Sequence, residues 1–208
     1  MQTVRYRLVE FFIIFVLVPI SFTQPFNIWI KLGIGVTGFI YIIYVLLKVE
    51  QLKLKILPDL NWSQFWKITF LKLGLIIVIT TALVFYTDRD MLFIVVLNKP
   101  ELWVVILFIY SFFSVYPQEL IYRTFFFSRY EKLFHNSTVF ILINAAIFSL
   151  GHIFFKSSLV MLLTFLGGLL FAHTFYKTRS TLLVSIEHAV YGCWLFTVGM
   201  GNMLGFPS

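Results

Sequence analysis

The sequence predicts an all-α fold, a polytopic bundle of about seven transmembrane helices, and three observations carry that expectation. Of the 208 residues, 60% are hydrophobic and only 12% are charged, where an ordinary soluble domain holds roughly 45–50% apolar and about 25% charged residues. The mean hydropathy is +0.94 and Phe alone fills 26 positions, more apolar surface than one compact core can hide from water, so lipid must cover the rest. Apolar runs of spanning length, about 20 residues each, recur along the whole chain. That length leaves room for a single domain, with membrane helices over 1–100, a core over 101–200, and no folded domain outside the membrane.

The first run, about 8–25, follows Arg5 and Arg7. Such a start resembles a signal peptide, but no small-x-small cleavage pattern follows, so a retained first helix is expected. Glu10 within it reads as a snorkelling carboxylate or a partner of Arg5 and Arg7. Runs at 28–47 and 68–86 come next. Between them Lys48 to Lys67, with Trp62, Phe65 and Trp66 among its charges, reads as an interfacial amphipathic stretch. The remaining runs cover 101–127, 138–155, 158–176 and 180–199. In the sixth, Gly167 and Gly168 permit close helix packing, and His173 reads as an interfacial histidine. The single cysteine, Cys193, excludes an internal disulfide and a multi-thiolate metal site.

The formal net charge of +7 would suit nucleic-acid binding in a soluble protein. In a membrane protein it reflects topology, because Lys and Arg collect in cytoplasmic loops. With the N-terminus inside, Arg5, Arg7, Lys48, Lys53, Lys55, Lys67, Arg123, Arg129, Lys132, Lys177 and Arg179 fall inside and only Arg89, Lys99 and Lys156 outside. Lys31 and Lys72 then lie near helix ends, where they can snorkel. An integral membrane protein with a cytoplasmic N-terminus and no nucleic-acid partner is expected.

Polar groups inside apolar runs mark where function should lie, because a charge at membrane depth costs several kcal/mol. In Pro117-Gln118-Glu119-Leu120-Ile121-Tyr122-Arg123, Glu119 and Arg123 are four apart and share one helical face. In Phe148-Ser149-Leu150-Gly151-His152, the imidazole follows Phe148 by one turn and Gly151 opens space beside it. In Glu187-His188-Ala189-Val190-Tyr191-Gly192, Gly192 leaves a gap on the face of His188. One carboxylate, one guanidinium and two histidines on three helices predict a shared polar centre. Counting about 1.5 Å per residue, Glu119 and His188 lie about 12 Å deep and His152 nearer about 22 Å.

These three segments resemble the motifs of the CAAX protease and bacteriocin-processing (CPBP, or Abi) family of intramembrane proteases: Glu-Glu-x-x-x-Arg, Phe-x-x-x-His and His-x-x-x-Asn. Gln118, Glu119 and Arg123 fall on the first, Phe148 and His152 on the second, His188 and Gly192 on the third. The resemblance implies a metal-independent intramembrane glutamate endopeptidase. In it Glu119 would activate water, His152 would orient it, His188 would donate to the oxyanion, and Arg123 would pair with Glu119. It also implies a peptide or protein substrate and a bacterial cytoplasmic membrane. Zinc could be ligated by two histidines and a carboxylate, but no His-Glu-x-x-His spacing is present, and no metal or cofactor is expected. Two positions depart from the family: Gln118 replaces the first Glu and Gly192 the final Asn. Either Glu119 or Glu187 could then act as the base. The rival classes are a catalytically silent binding or immunity protein, and a proton or ion transporter built on the same buried groups.

Overall fold

The computed structural model describes residues 2–52 and 61–204, and every regular element among them is helical. The first helix, α1, runs from Val4–Phe12 through a widened π-helical turn, Ile13–Leu17, into Val18–Ser21. The others are α2 (Ile28–Val49), α3 (Trp62–Thr87), the short α4 (Ile94–Asn98), α5 (Pro100–Leu133), α6 (Ser137–Leu150), α7 (Ser158–Thr178) and α8 (Thr181–Val198). Six of them are long and apolar enough to cross a membrane, counting α6 with the 3-10 turn Ile153–Phe155 that follows it. The first helix, which carries Arg5, Arg7 and Glu10, is not among the six, so the expected seven spans stand at six by length and composition.

Local chemistry sets the helix starts. Side chains of Thr3, Asn27, Asn61, Asn136, Ser157 and Ser180 each accept a backbone N–H of the first turn, satisfying donors that a helix start leaves open. Pro100 opens α5, where its missing N–H is harmless. The cap at Asn61 also corrects the interfacial stretch: Trp62 to Lys67 are the first turns of α3, while residues 53–60, including Lys53 and Lys55, lie outside the described residues. Two widened turns have a common cause. Pro19 and Pro117 cannot donate to the carbonyl four residues earlier and crowd it, and each follows a π-helical segment, Ile13–Leu17 and Tyr110–Val115, which contains that carbonyl.

The chain forms two compact units. One holds Met1–Lys55 and Gln118–Arg179. Its core is aromatic: Phe126 stacks on Phe140 at 4.9 Å between centroids and meets Phe15 edge-on at 5.4 Å, and Phe127 meets Phe175 at 4.9 Å. Gly168 lets α7 lie against Ala145 of α6, whose Cα a Cβ at 168 would approach to 3.0 Å, whereas Gly167 faces only Phe171 of its own helix. The other unit holds Ile56–Pro117 and Ser180–Ser208. Its core gathers Val95, Ile106, Tyr110, Val115 and Phe196, with Cys193 packed against it. Indole N–H groups fasten it: Trp194 donates to Thr80 (2.9 Å) and Trp103 to Thr197 (3.0 Å). Large apolar side chains such as Trp29, Leu71 and Phe113 stand exposed on the helices, the surface that a hydrocarbon solvent would cover.

Candidate active site

Glu119 and Arg123 are both fully buried, with Arg123 Nε 3.4 Å from Glu119 Oε2 across one turn of α5. A second widened turn, Leu120–Phe125, follows Glu119. Within it the side-chain amide of buried Asn144, on α6, donates to the Tyr122 carbonyl at 2.6 Å. That bond ties the motif helix to α6 where its own hydrogen-bond ladder is irregular. The Arg123 guanidinium lies over the ring of Phe148, 4.6 Å from its centroid, and 5.8 Å from that of Phe171. Two aromatic faces thus accept a cation that lipid would not. Gln118 precedes this pair half-buried.

His152 continues the same line of contacts. Its ring lies 4.8 Å from Phe148, and its Nδ1–H donates to the Phe148 carbonyl at 2.8 Å. A carbonyl only accepts, so the bond fixes the proton on Nδ1 and leaves Nε2 of the neutral ring as an acceptor. The helix ends at Leu150, and His152 sits at φ −104°, ψ 6°, the sparsely occupied bridge region where many active-site residues are found. Gly151 is needed there, because any Cβ would overlap the Tyr122 hydroxyl. Glu119, Arg123, Phe148 and His152 are therefore brought together within one unit.

Glu187, His188 and Gly192 belong to the other unit. Glu187 is buried, and its Oε1 accepts from Lys72 Nζ at 2.8 Å and from the Tyr191 hydroxyl at 2.9 Å. Lys72 is thus an ion-pair partner rather than a snorkelling side chain. Lys31 donates to the Phe22 carbonyl at the end of α1 (2.8 Å). Beside His188, Gly192 leaves a gap that Tyr110 fills.

Glu10 differs from expectation. Arg7 turns to Gln2, and Glu10 is bound instead by buried Arg129, with Nε 2.7 Å and Nη2 3.3 Å from its oxygens, by the Tyr130 hydroxyl at 2.9 Å and by Tyr41. Arg129 Nη1 also donates to Glu50 at 2.7 Å. This network ties α1, α2 and α5 together. At the C-terminal end of α5, partly exposed Glu131 receives two 2.6 Å hydrogen bonds from Arg179, which raise the Arg179 pKa above its ordinary value. His173 is exposed. Among the described residues, no three His, Cys, Asp or Glu side chains gather as metal ligands.

Asn144, Phe171, Tyr122, Tyr110 and the Arg129 network escaped the reading of the sequence. Asn144 carried a signal, since it precedes Phe148 by four and His152 by eight and so continues their helical stripe. The tyrosines carried none, because the glycines they fill are remote in sequence.

The family model described as type II CAAX prenyl endopeptidase Rce1-like matches residues 100–194. No curated protein matches the chain, and no solved structure does. Every motif residue from Gln118 to Gly192 falls inside the matched segment. With six helices of spanning length and apolarity among the described residues, the chain is an integral membrane protein, and its segment 100–194 is similar to the Rce1-like type II CAAX prenyl endopeptidases.

Proposed function

We propose that the chain is an intramembrane endopeptidase in which Glu119 activates water against a peptide bond near the membrane interface. This reading is carried by the line of contacts from buried Glu119 through Arg123 and Phe148 to half-buried His152. Glu119 takes a proton from water while Nε2 of His152 accepts the other water hydrogen. The hydroxide adds to the scissile carbonyl carbon, and the carbonyl oxygen becomes an oxyanion. Glu119 then returns its proton to the leaving amine as the carbon–nitrogen bond breaks. Arg123, held over two rings, fixes the Glu119 carboxylate. His188, assigned by its motif, donates to the oxyanion. Glu187 is committed to Lys72 and Tyr191, which leaves Glu119 as the base. The excess of basic residues in alternate loops supports a cytoplasmic N-terminus, and the family resemblance supports a bacterial cytoplasmic membrane.

The test uses purified protein in detergent with prenylated CAAX peptides and a pool of unprenylated peptides. Cleavage by wild type that Glu119→Gln abolishes, with an unchanged melting temperature, is the expected result. Absence of cleavage by wild type overturns the enzyme in favour of a chain that binds without cutting. Proton flux in liposomes without cleavage selects the transporter.

A further inference from the structure

Gly192 follows His188 by one helical turn and lies on the same face of α8. A Cβ at that position would overlap the hydroxyl, Cζ and Cε1 of Tyr110. The phenol end of Tyr110 and a side chain at 192 therefore exclude one another. Tyr110 reaches this place from the first residue of the widened turn Tyr110–Val115. Its ring is buried and held from two sides, edge-on to Phe196 at 4.8 Å and edge-on to His188 at 6.0 Å. Phe196 lies one turn beyond Gly192, so the ring spans the stripe His188, Gly192, Phe196 with its apolar body on the phenylalanine and its hydroxyl over the glycine.

We propose that Tyr110 is a catalytic residue, whose hydroxyl is a second hydrogen-bond donor, beside His188, to the oxyanion formed during peptide cleavage. The inference rests on the proposed endopeptidase function. A tetrahedral oxyanion has lone pairs for more than one donor, and a donor held in place before the reaction needs no reorganisation when charge develops. A phenol supplies one O–H on a rigid ring with two torsions. Buried against Phe196 and His188, this one is aimed by packing rather than by a flexible stem. Gly192 is then what makes room for the donor, and the loss of a side chain at 192 and the presence of tyrosine at 110 are one arrangement.

The experiment measures kcat and KM for Tyr110→Phe on the best-cleaved peptide found with wild type, alongside Glu119→Gln, Tyr110→Ala and the double variant Tyr110→Ala, Gly192→Asn. Phe keeps the ring and its packing, so the melting temperature should stay near wild type while kcat falls about 100-fold with little change in KM, the size of effect seen when one such donor is removed. The double variant places an amide donor in the vacated space and should cleave at least about tenfold faster than Tyr110→Ala. A merely structural tyrosine would show neither the selective fall in kcat nor the rescue. Should Tyr110→Phe keep wild-type kcat, or the double variant fail to exceed Tyr110→Ala, the assignment of Tyr110 is overturned while Glu119→Gln still reports on the endopeptidase. Should wild type cut nothing, the endopeptidase reading falls and the Tyr110 assignment with it.

Discussion

Two glycines beside the motif histidines each abut a tyrosine hydroxyl: Gly151 meets Tyr122 and Gly192 meets Tyr110. Both read in the sequence as gaps, and what fills them could not be read, because a gap on one helix says nothing about which remote side chain enters it. Gly151→Ala forces a Cβ into the Tyr122 hydroxyl. That phenol is wedged edge-on against Phe148 at 5.2 Å, so displacing it disturbs the ring on which Arg123 rests. Overpacking of this kind typically costs about 1–3 kcal/mol. A fall in melting temperature in detergent and a loss of cleavage are expected for Gly151→Ala. Gly35→Ala, where nothing lies within 4 Å of the added Cβ, should leave both unchanged.

At the scale of the element, the Arg129 network shows how the chain holds its first helix. Glu10 lies on α1, Arg129 on α5 and Glu50 directly after the last residue of α2, and Arg129 is buried completely. Removing one member of a buried ion pair leaves the other charge uncompensated, at a cost of about 3–5 kcal/mol. Arg129→Met should therefore lower the unfolding midpoint sharply. Replacing Glu10, Glu50 and Arg129 together with apolar residues of similar size should cost less than that single change, and a triple variant weaker than Arg129→Met would contradict the pairing. The sequence showed Glu10 as an unusual charge in an apolar run, and it offered Arg5 and Arg7 as neighbours because they are near in the chain. The true partner is 119 positions away, a distance that no local pattern spans. Helix identities were legible for the opposite reason: apolar runs and polar caps such as Asn136 and Ser180 are local. The motif positions were legible too, since fixed i, i+4 spacings place Glu119 with Arg123 and Phe148 with His152 on shared faces. Asn144 was legible in principle by the same spacing.

For the molecule as a whole, composition fixed the solvent. A chain with Trp29, Leu71 and Phe113 largely exposed cannot keep those helices in water, and the six apolar spans follow. The division into two units did not follow from composition, because both halves of the sequence are equally apolar and each unit is assembled from segments of both.

The length of α6 reaches beyond the protein. Its 14 α-helical residues rise about 21 Å, well short of the roughly 30 Å of hydrocarbon in an ordinary bilayer, whereas the 21 residues of α7 rise about 31 Å. His152, just past the end of α6, thus places irregular backbone within the 19-residue apolar segment Ser137–Phe155, which lipid tolerates only where protein or water surrounds it. A bilayer that thins around this hairpin relieves the mismatch, and a thick one opposes it. Acyl-chain length then becomes a regulator: in proteoliposomes, cleavage should be faster in monounsaturated lipids with 14-carbon chains than in those with 22-carbon chains, with detergent-solubilised enzyme showing no such order. Equal rates across the series would mean that the short helix imposes no deformation on the lipid around it.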